Sequence, residues 1–332
     1  MANDTTVVLV GSESLLGREI RDVVASAQPG FALRLVAEDE ESAGKLTSVG
    51  DEAALVGGLN AESLSGARAV FLAGTAETSR KALALVDGAA VIDLTFAAED
   101  SPEARLRAPA IEDGSTEQDE GLHVIAHPAA IALALFLRRL HAQDPVRRAV
   151  IQIFVPASEH GTAGVEELQQ QTINLLSFKS VPKDVFDAQL SFSMLAQYGA
   201  EAPVALEETE LRIERHLATL LGIEGEGEGT PMPSLRAIQA PVFHGYSFSA
   251  WVEFESNPGI EALESSLGMS GIELLGREME PPNNVGPAGQ GGIAVGAIAE
   301  DRNSAEACWF WIVADNLRLT AENAVEVARQ LV

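Results

Sequence analysis

Thr6–Ala25 runs T-V-V-L-V-G-S-E-S-L-L-G-R-E-I-R-D-V-V-A: a β-branched apolar strand, a turn bounded by Gly11 and Gly17, and a segment with apolar residues at helical spacing. Strand, glycine turn and helix in that order are the context a dinucleotide fingerprint needs. The fingerprint is altered, because a G-x-x-G-x-x-G pattern would put its middle glycine at Ser14. A Cβ there faces the usual pyrophosphate position, and Glu13 adds a negative charge beside it. The turn therefore closes a βαβ unit whether or not it holds a nucleotide.

The pattern repeats downstream. Leu33–Ala37 reads as a second strand and ends in Glu38-Asp39-Glu40-Glu41, where an acid suits a ribose 2′-hydroxyl and rejects a 2′-phosphate. A bound dinucleotide would thus be NAD rather than NADP; a solvated acidic loop accounts for the same residues. Ala69–Ala73 with Gly74, Ala90–Asp93 and His123–Ala126 read as further strands, with a helix over Ser79–Val86 and an acidic loop over Glu112–Gly121. Alternating strands and helices predict a parallel, doubly wound sheet.

The 332 residues give room for two domains, and 46% hydrophobic with 21% charged residues is a globular composition. A net charge of -27 argues against nucleic acid and anionic membrane as partners. The single Cys308 excludes an internal disulfide. No basic leader follows Met1, and the apolar run Ala129–Leu137 is too short to span a bilayer, so the chain reads as cytoplasmic.

At Ile125–Leu140 (I-A-H-P-A-A-I-A-L-A-L-F-L-R-R-L) a strand passes through Pro128 into an apolar helix. A helix start activates thiols and binds anions, yet Ala129 and Ala130 offer no side-chain chemistry there. In the second half Arg148–Phe154 reads as a strand, Gly164–Leu176 and Glu207–Leu221 as helices, and Phe243–Glu255 as a half-buried strand. Gly222–Ser234 and Pro281–Gly292 read as loops. His123 and His127, four apart on a strand, lie too far from each other to share a metal, which leaves a structural or surface role. His244, two residues before Tyr246 and on its face of an extended strand, is the remaining acid–base candidate. His160 sits in Ser158-Glu-His-Gly161 with Glu159 and Glu166 nearby; Cys308, in an apolar strand, reads as a small buried hydrophobe.

Along nearly its whole length the chain resembles aspartate-β-semialdehyde dehydrogenases. The resemblance rests on the N-terminal turn, Ser42-Ala-Gly-Lys45, Ala90-Val-Ile-Asp93, Ala163-Gly-Val-Glu-Glu-Leu168, Pro241-Val-Phe243 with Gly245, and above all Val313-Ala-Asp-Asn-Leu-Arg318 with Asn323-Ala-Val325. It implies an NAD(P)-binding Rossmann-type domain over 1–128, an α/β mixed-sheet catalytic and dimerisation domain over 129–308, and a C-terminal strand and helix over 309–332 that return to the first. It also implies a homodimer, a reductive dephosphorylation of aspartyl phosphate through a cysteine thioester in amino-acid biosynthesis, and cofactor contacts at Gly11, Ser14, Leu16, Gly17, Glu38, Gly74 and Asn316.

Carried over residue by residue, the resemblance places the nucleophilic cysteine at Ala130, the catalytic histidine at Tyr246 and the carboxylate-binding arginine at Gln239. The phosphate-binding arginine falls on Glu99, the lysine after Glu207-Glu208 on Glu210, and the basic residue for a cofactor phosphate on Glu41. A thioester needs sulfur and a general acid–base, and three reversed charges repel a phosphorylated substrate. The cysteine-lacking Usg-like paralogues of this family are similar in this respect. The expectation is an inactive, dimeric member with a binding or regulatory role and room for a small-molecule ligand. The competing expectations are an NAD(P)-dependent oxidoreductase with altered chemistry, and an active dehydrogenase with an unrecognised nucleophile.

Overall fold

The computed structural model describes residues 5–112, 121–268, 271–286 and 288–332. The acidic loop expected over Glu112–Gly121 falls almost wholly outside them. The chain divides into two units, Met1–Ala126 with Thr320–Val332, and His127–Leu319.

The first unit contains β1 (Thr5–Val10), α1 (Leu15–Ala27), β2 (Phe31–Val36), β3 (Leu46–Val49), β4 (Glu52–Leu55), α2 (Ala61–Leu64), β5 (Ala69–Leu72), α3 (Ala76–Leu83), β6 (Ala90–Asp93), β7 (Ala104–Arg107) and β8 (Leu122–Ile125). Six of these strands form one sheet in the order β2-β1-β5-β6-β8-β7, parallel throughout as expected. Central strands of such a sheet are covered on both faces, which is why Val7–Val10 and Ala69–Leu72 are apolar without alternation and wholly buried. Helix α3 begins three residues before the expected Ser79 because the Thr75 hydroxyl caps it, accepting from the Thr78 N–H. The short antiparallel hairpin β3–β4, which displays Leu46 and Leu55 to solvent, has no counterpart in the sequence reading.

The second unit contains α4 (Pro128–Gln143), β9 (Val146–Val155), a 3-10 turn (Ala157–His160), α5 (Gly161–Leu176), α6 (Leu206–Leu221), β10 (Ser234–Gln239), β11 (Tyr246–Phe254), α7 (Ile260–Leu267), β12 (Ile272–Leu275), β13 (Ile293–Glu300) and β14 (Ala307–Ala314); α8 (Asn316–Leu331) begins here and continues into the first unit. Its sheet is mixed, in the order β10-β9-β11-β14-β13-β12. The expected boundary at 308 lies inside β14, which pairs antiparallel with both β11 and β13, so the crossing back to the first unit comes later, within α8.

Helix α4 is apolar nearly all round because it is the buried helix of this unit: Ala129–Ala134, Phe136, Leu137 and Leu140 have no exposure, and Phe136 meets Phe310 of β14 edge-on at 5.1 Å. Its one deeply buried cation, Arg138, donates to the carbonyls of Leu220 and Ile223 at and just past the end of α6. No helix among the described residues is long and apolar enough to cross a membrane.

Candidate functional site

The β8–α4 junction supplies the first member of the site. His127 caps α4 ahead of Pro128, its Nδ1 accepting from the Ala129 N–H at 3.2 Å. With Nδ1 an acceptor, the ring proton sits on Nε2, which donates to Glu159 Oε1 at 2.9 Å. The backbone N–H of His127 donates to His216 Nδ1 of α6 at 3.0 Å. Both ring nitrogens are thus engaged and the side chain has no exposure, so of the two expected roles, structural or surface, His127 has the structural one: it caps a helix and pairs with a buried carboxylate.

Glu159 comes from the 3-10 turn, which is tied to the chain before β11 through the Ala157 and Ser158 amides to the carbonyls of Val242 and Phe243. Its Oε2 accepts from the Tyr246 hydroxyl at 2.7 Å, and the His127 and Tyr246 rings meet edge-on at 5.8 Å. Burial is the largest influence on this carboxyl and raises its pKa. The neighbouring His127 ring and its hydrogen bond, the Tyr246 hydroxyl and the nearby His160 outweigh it, leaving the group below its ordinary 4.5. Burial, then the Glu159 charge, hold Tyr246 well above 10, so it stays a phenol and a donor.

A second chain of hydrogen bonds runs alongside. His160 Nε2 bonds the Tyr198 hydroxyl at 2.9 Å, and that hydroxyl donates to Gln239 Oε1 at 2.5 Å. The Gln239 amide donates to the carbonyls of Val155 and Ala240. Burial raises Tyr198 far above its usual range and lowers His160 below 6.5. Phe186 closes this group, meeting His160 at 5.3 Å and Tyr198 at 5.4 Å.

Of the expected site residues, Tyr246 and Gln239 belong to these contacts. Ala130 is fully buried in the first turn of α4, Gln239 ends β10 with both amide hydrogens taken, and Tyr246 opens β11. His244 is corrected: β11 begins only at Tyr246, and Gly245, at φ 81°, breaks the extended alternation that was to align the two side chains. His244 Nδ1 is buried without a hydrogen-bond partner among the described residues. Glu210, where the resemblance has a lysine, accepts the Ala237 N–H at the outer edge of β10 and pairs with Arg236 at 3.6 Å. Glu99 is half-buried after β6, and Glu41 is exposed. Cys308 is buried on β14 with its thiol pushed up by burial and then by Glu300. Glu159 and Tyr198 were not singled out as site residues. The family turn Ser158–Gly161 pointed to the first; for the second, the signal was that the chain has two tyrosines.

In the first unit, Gly11 and Gly17 serve close packing: a Cβ would meet Gly74 N at 2.3 Å in one case and Gly11 O at 2.1 Å in the other. The Ser14 hydroxyl caps α1, accepting from Gly17 N–H and donating to the Ala73 carbonyl. Leu16 is half-buried in the first turn of α1. Glu38 Oε1 accepts the Thr75 N–H at 2.6 Å beside Gly74, while Oε2 has no partner among the described residues. The resemblance places a cofactor contact at this carboxylate, just after β2. Asn316, at the start of α8, accepts from Gly245 N–H and donates to the Ser158 hydroxyl. The described residues hold no group of three or more acidic, His or Cys side chains suited to a metal.

Fold and site define a two-unit α/β protein, one unit built on a parallel sheet and the other on a mixed one. The model of the semialdehyde dehydrogenase dimerisation domain matches residues 137–319. A USG-1 protein homolog of Pseudomonas aeruginosa is 30% identical, and an aspartate-semialdehyde dehydrogenase of Rickettsia bellii 24% identical; each comparison covers 100% of this chain and 99% of the relative. A solved structure of a probable aspartate-semialdehyde dehydrogenase from Pseudomonas aeruginosa superposes with a TM-score of 0.82 at 27% identity, over 99% of this chain and 98% of that one. The chain belongs to the semialdehyde dehydrogenase family.

Proposed function

We propose that this chain is a catalytically silent member of its family, a homodimeric scaffold with a binding or regulatory role. One observation carries the reading. The positions that the family resemblance assigns to nucleophile, acid–base and carboxylate clamp hold Ala130, Tyr246 and Gln239, and the last two are consumed by Glu159, Tyr198 and backbone carbonyls. A methyl group cannot form a thioester. A phenol held protonated cannot take a proton, and an imidazole with both nitrogens engaged cannot turn to a substrate.

The first unit supports a narrower claim about the cofactor. Glu38 would accept from the ribose hydroxyls of NAD, and the acidic run after it disfavours NADP. This favours, as a second reading, an NAD-dependent oxidoreductase of altered chemistry. Bound NAD would supply hydride exchange; the filled centre of the second unit offers it no nucleophile or free acid–base.

The test couples turnover to binding. Purified protein incubated with aspartate semialdehyde, phosphate and NAD or NADP is expected to give no turnover above a protein-free control. Calorimetric titration separates the two readings: NAD binding without turnover leaves a silent scaffold that holds a nucleotide. Turnover that survives purification and disappears in Glu159→Ala would overturn the proposal.

A further inference from the structure

An open parallel sheet takes its ligands beyond the carboxyl ends of the strands, at the point where the strand order reverses. In the first unit that point lies between β1 and β5, since the chain leaves β1 for β2 on one side and returns to β5 on the other. The β1–α1 turn is pressed against the end of β5 there, with no room for a side chain on Gly11.

Ser14 bridges the two strands. Its hydroxyl accepts the Gly17 N–H at 2.9 Å and donates to the carbonyl of Ala73, just past β5, at 2.7 Å. A serine that only capped α1 would use its acceptor and leave its proton to solvent. Here the proton goes to the neighbouring strand end, so the hydroxyl is held as donor and as acceptor at once. The Gly17 N–H belongs to the first turn of α1, and first-turn donors are what hold a pyrophosphate in a dinucleotide fold. The buried cation of this helix is committed too: Arg21 pairs with Glu13 at 3.1 Å and donates to Thr47 of the β3–β4 hairpin at 2.6 Å. Glu38, by contrast, uses only Oε1, on the Thr75 N–H.

We propose that Ser14 is a built-in competitor for the pyrophosphate of a dinucleotide: its hydroxyl, tied to Ala73, holds the start of α1 until it is displaced, and so sets the affinity of the first unit for NAD. The inference rests on the reading in which the first unit takes NAD, and goes further by naming the residue that weakens the binding. Seating a pyrophosphate breaks both hydrogen bonds of Ser14, each worth about 5-fold in affinity. Glycine at this position removes the competitor at little cost to the helix, because glycine is itself an accepted N-cap.

Calorimetric titration of the full chain with NAD tests it. The wild type is expected to bind NAD weakly, and Ser14→Gly to bind it about 10-fold or more tighter, with unchanged far-UV circular dichroism. Adenosine, which has the ribose but no pyrophosphate, should bind both proteins alike. Ser14→Ala keeps the Cβ but frees the Gly17 N–H; it should gain about 3-fold or more, and it keeps the test usable if Ser14→Gly does not fold. Unchanged NAD affinity in both variants overturns this inference alone, as does an equal gain for adenosine. No NAD binding by any of the three proteins overturns the nucleotide reading and this inference with it.

Discussion

The two faces of the mixed sheet use their aromatic residues in opposite ways. On the face that α4 covers, Tyr246 and Gln239 close on Glu159 and Tyr198, polar atom to polar atom, with the rings buried around them. On the open face, the indole N–H groups are paired with Asp301 and Pro282, and Trp309 keeps about two-fifths of its surface exposed. Change on the closed face should therefore cost the fold more than change on the open face.

Removing the hub of the closed face should have the largest effect. Glu159→Ala removes the buried carboxylate to which both His127 Nε2–H and the Tyr246 hydroxyl donate, and should cost about 3 kcal/mol in urea unfolding. A loss below about 1 kcal/mol would mean that the network is incidental. Tyr246→Phe removes one of the two donors and should cost about 2 kcal/mol, with a coupling near 1 kcal/mol when combined with Glu159→Gln.

Acid should act through the same carboxylate. Its folded pKa lies below the ordinary 4.5, so its contribution to stability is present above 4.5 and is lost as pH falls through the folded value. Stability measured below pH 4.5 should fall less steeply in Glu159→Gln than in the wild type. An identical acid limb in both proteins would place the acid sensitivity elsewhere. The smallest effect belongs to the open face, where Trp309→Ser removes a side chain two-fifths exposed and its hydrogen bond to Asp301, and should cost about 1 kcal/mol. A large loss of monomer stability would erase the contrast between the faces.

The parallel sheet was legible because its buried strands are short apolar runs followed by glycine turns, as at Val7–Gly11 and Ala69–Gly74. The absence of chemistry at Ala130 was legible for the same local reason, since a helix start after a strand marks the place where a nucleophile is looked for. What filled the centre was not legible. Glu159 and Tyr246 are 87 positions apart, and Tyr198 and Gln239 41 apart, and no periodicity joins them. The structural role of His127 was legible only in outline, because its partners are a carboxylate 32 positions on and the helix it caps. His244 was misjudged because a single left-handed glycine reset the alternation. The tryptophan face was hidden because Trp251 and Trp309 meet only through the long-range pairing of β11 with β14, and because their brace comes from the turn between β13 and β14.

The central claim is that the catalytic position is filled by the chain's own side chains. Both tyrosines take part, and burial raises both above 10, so their contribution to stability is complete below 10 and is withdrawn as pH rises beyond it. Following phenolate absorbance and far-UV circular dichroism together through an alkaline titration tests this directly. The account predicts no phenolate signal as pH passes 10, and then two tyrosines ionising together with loss of the fold. A tyrosine that ionises reversibly near 10 in the folded protein would contradict it.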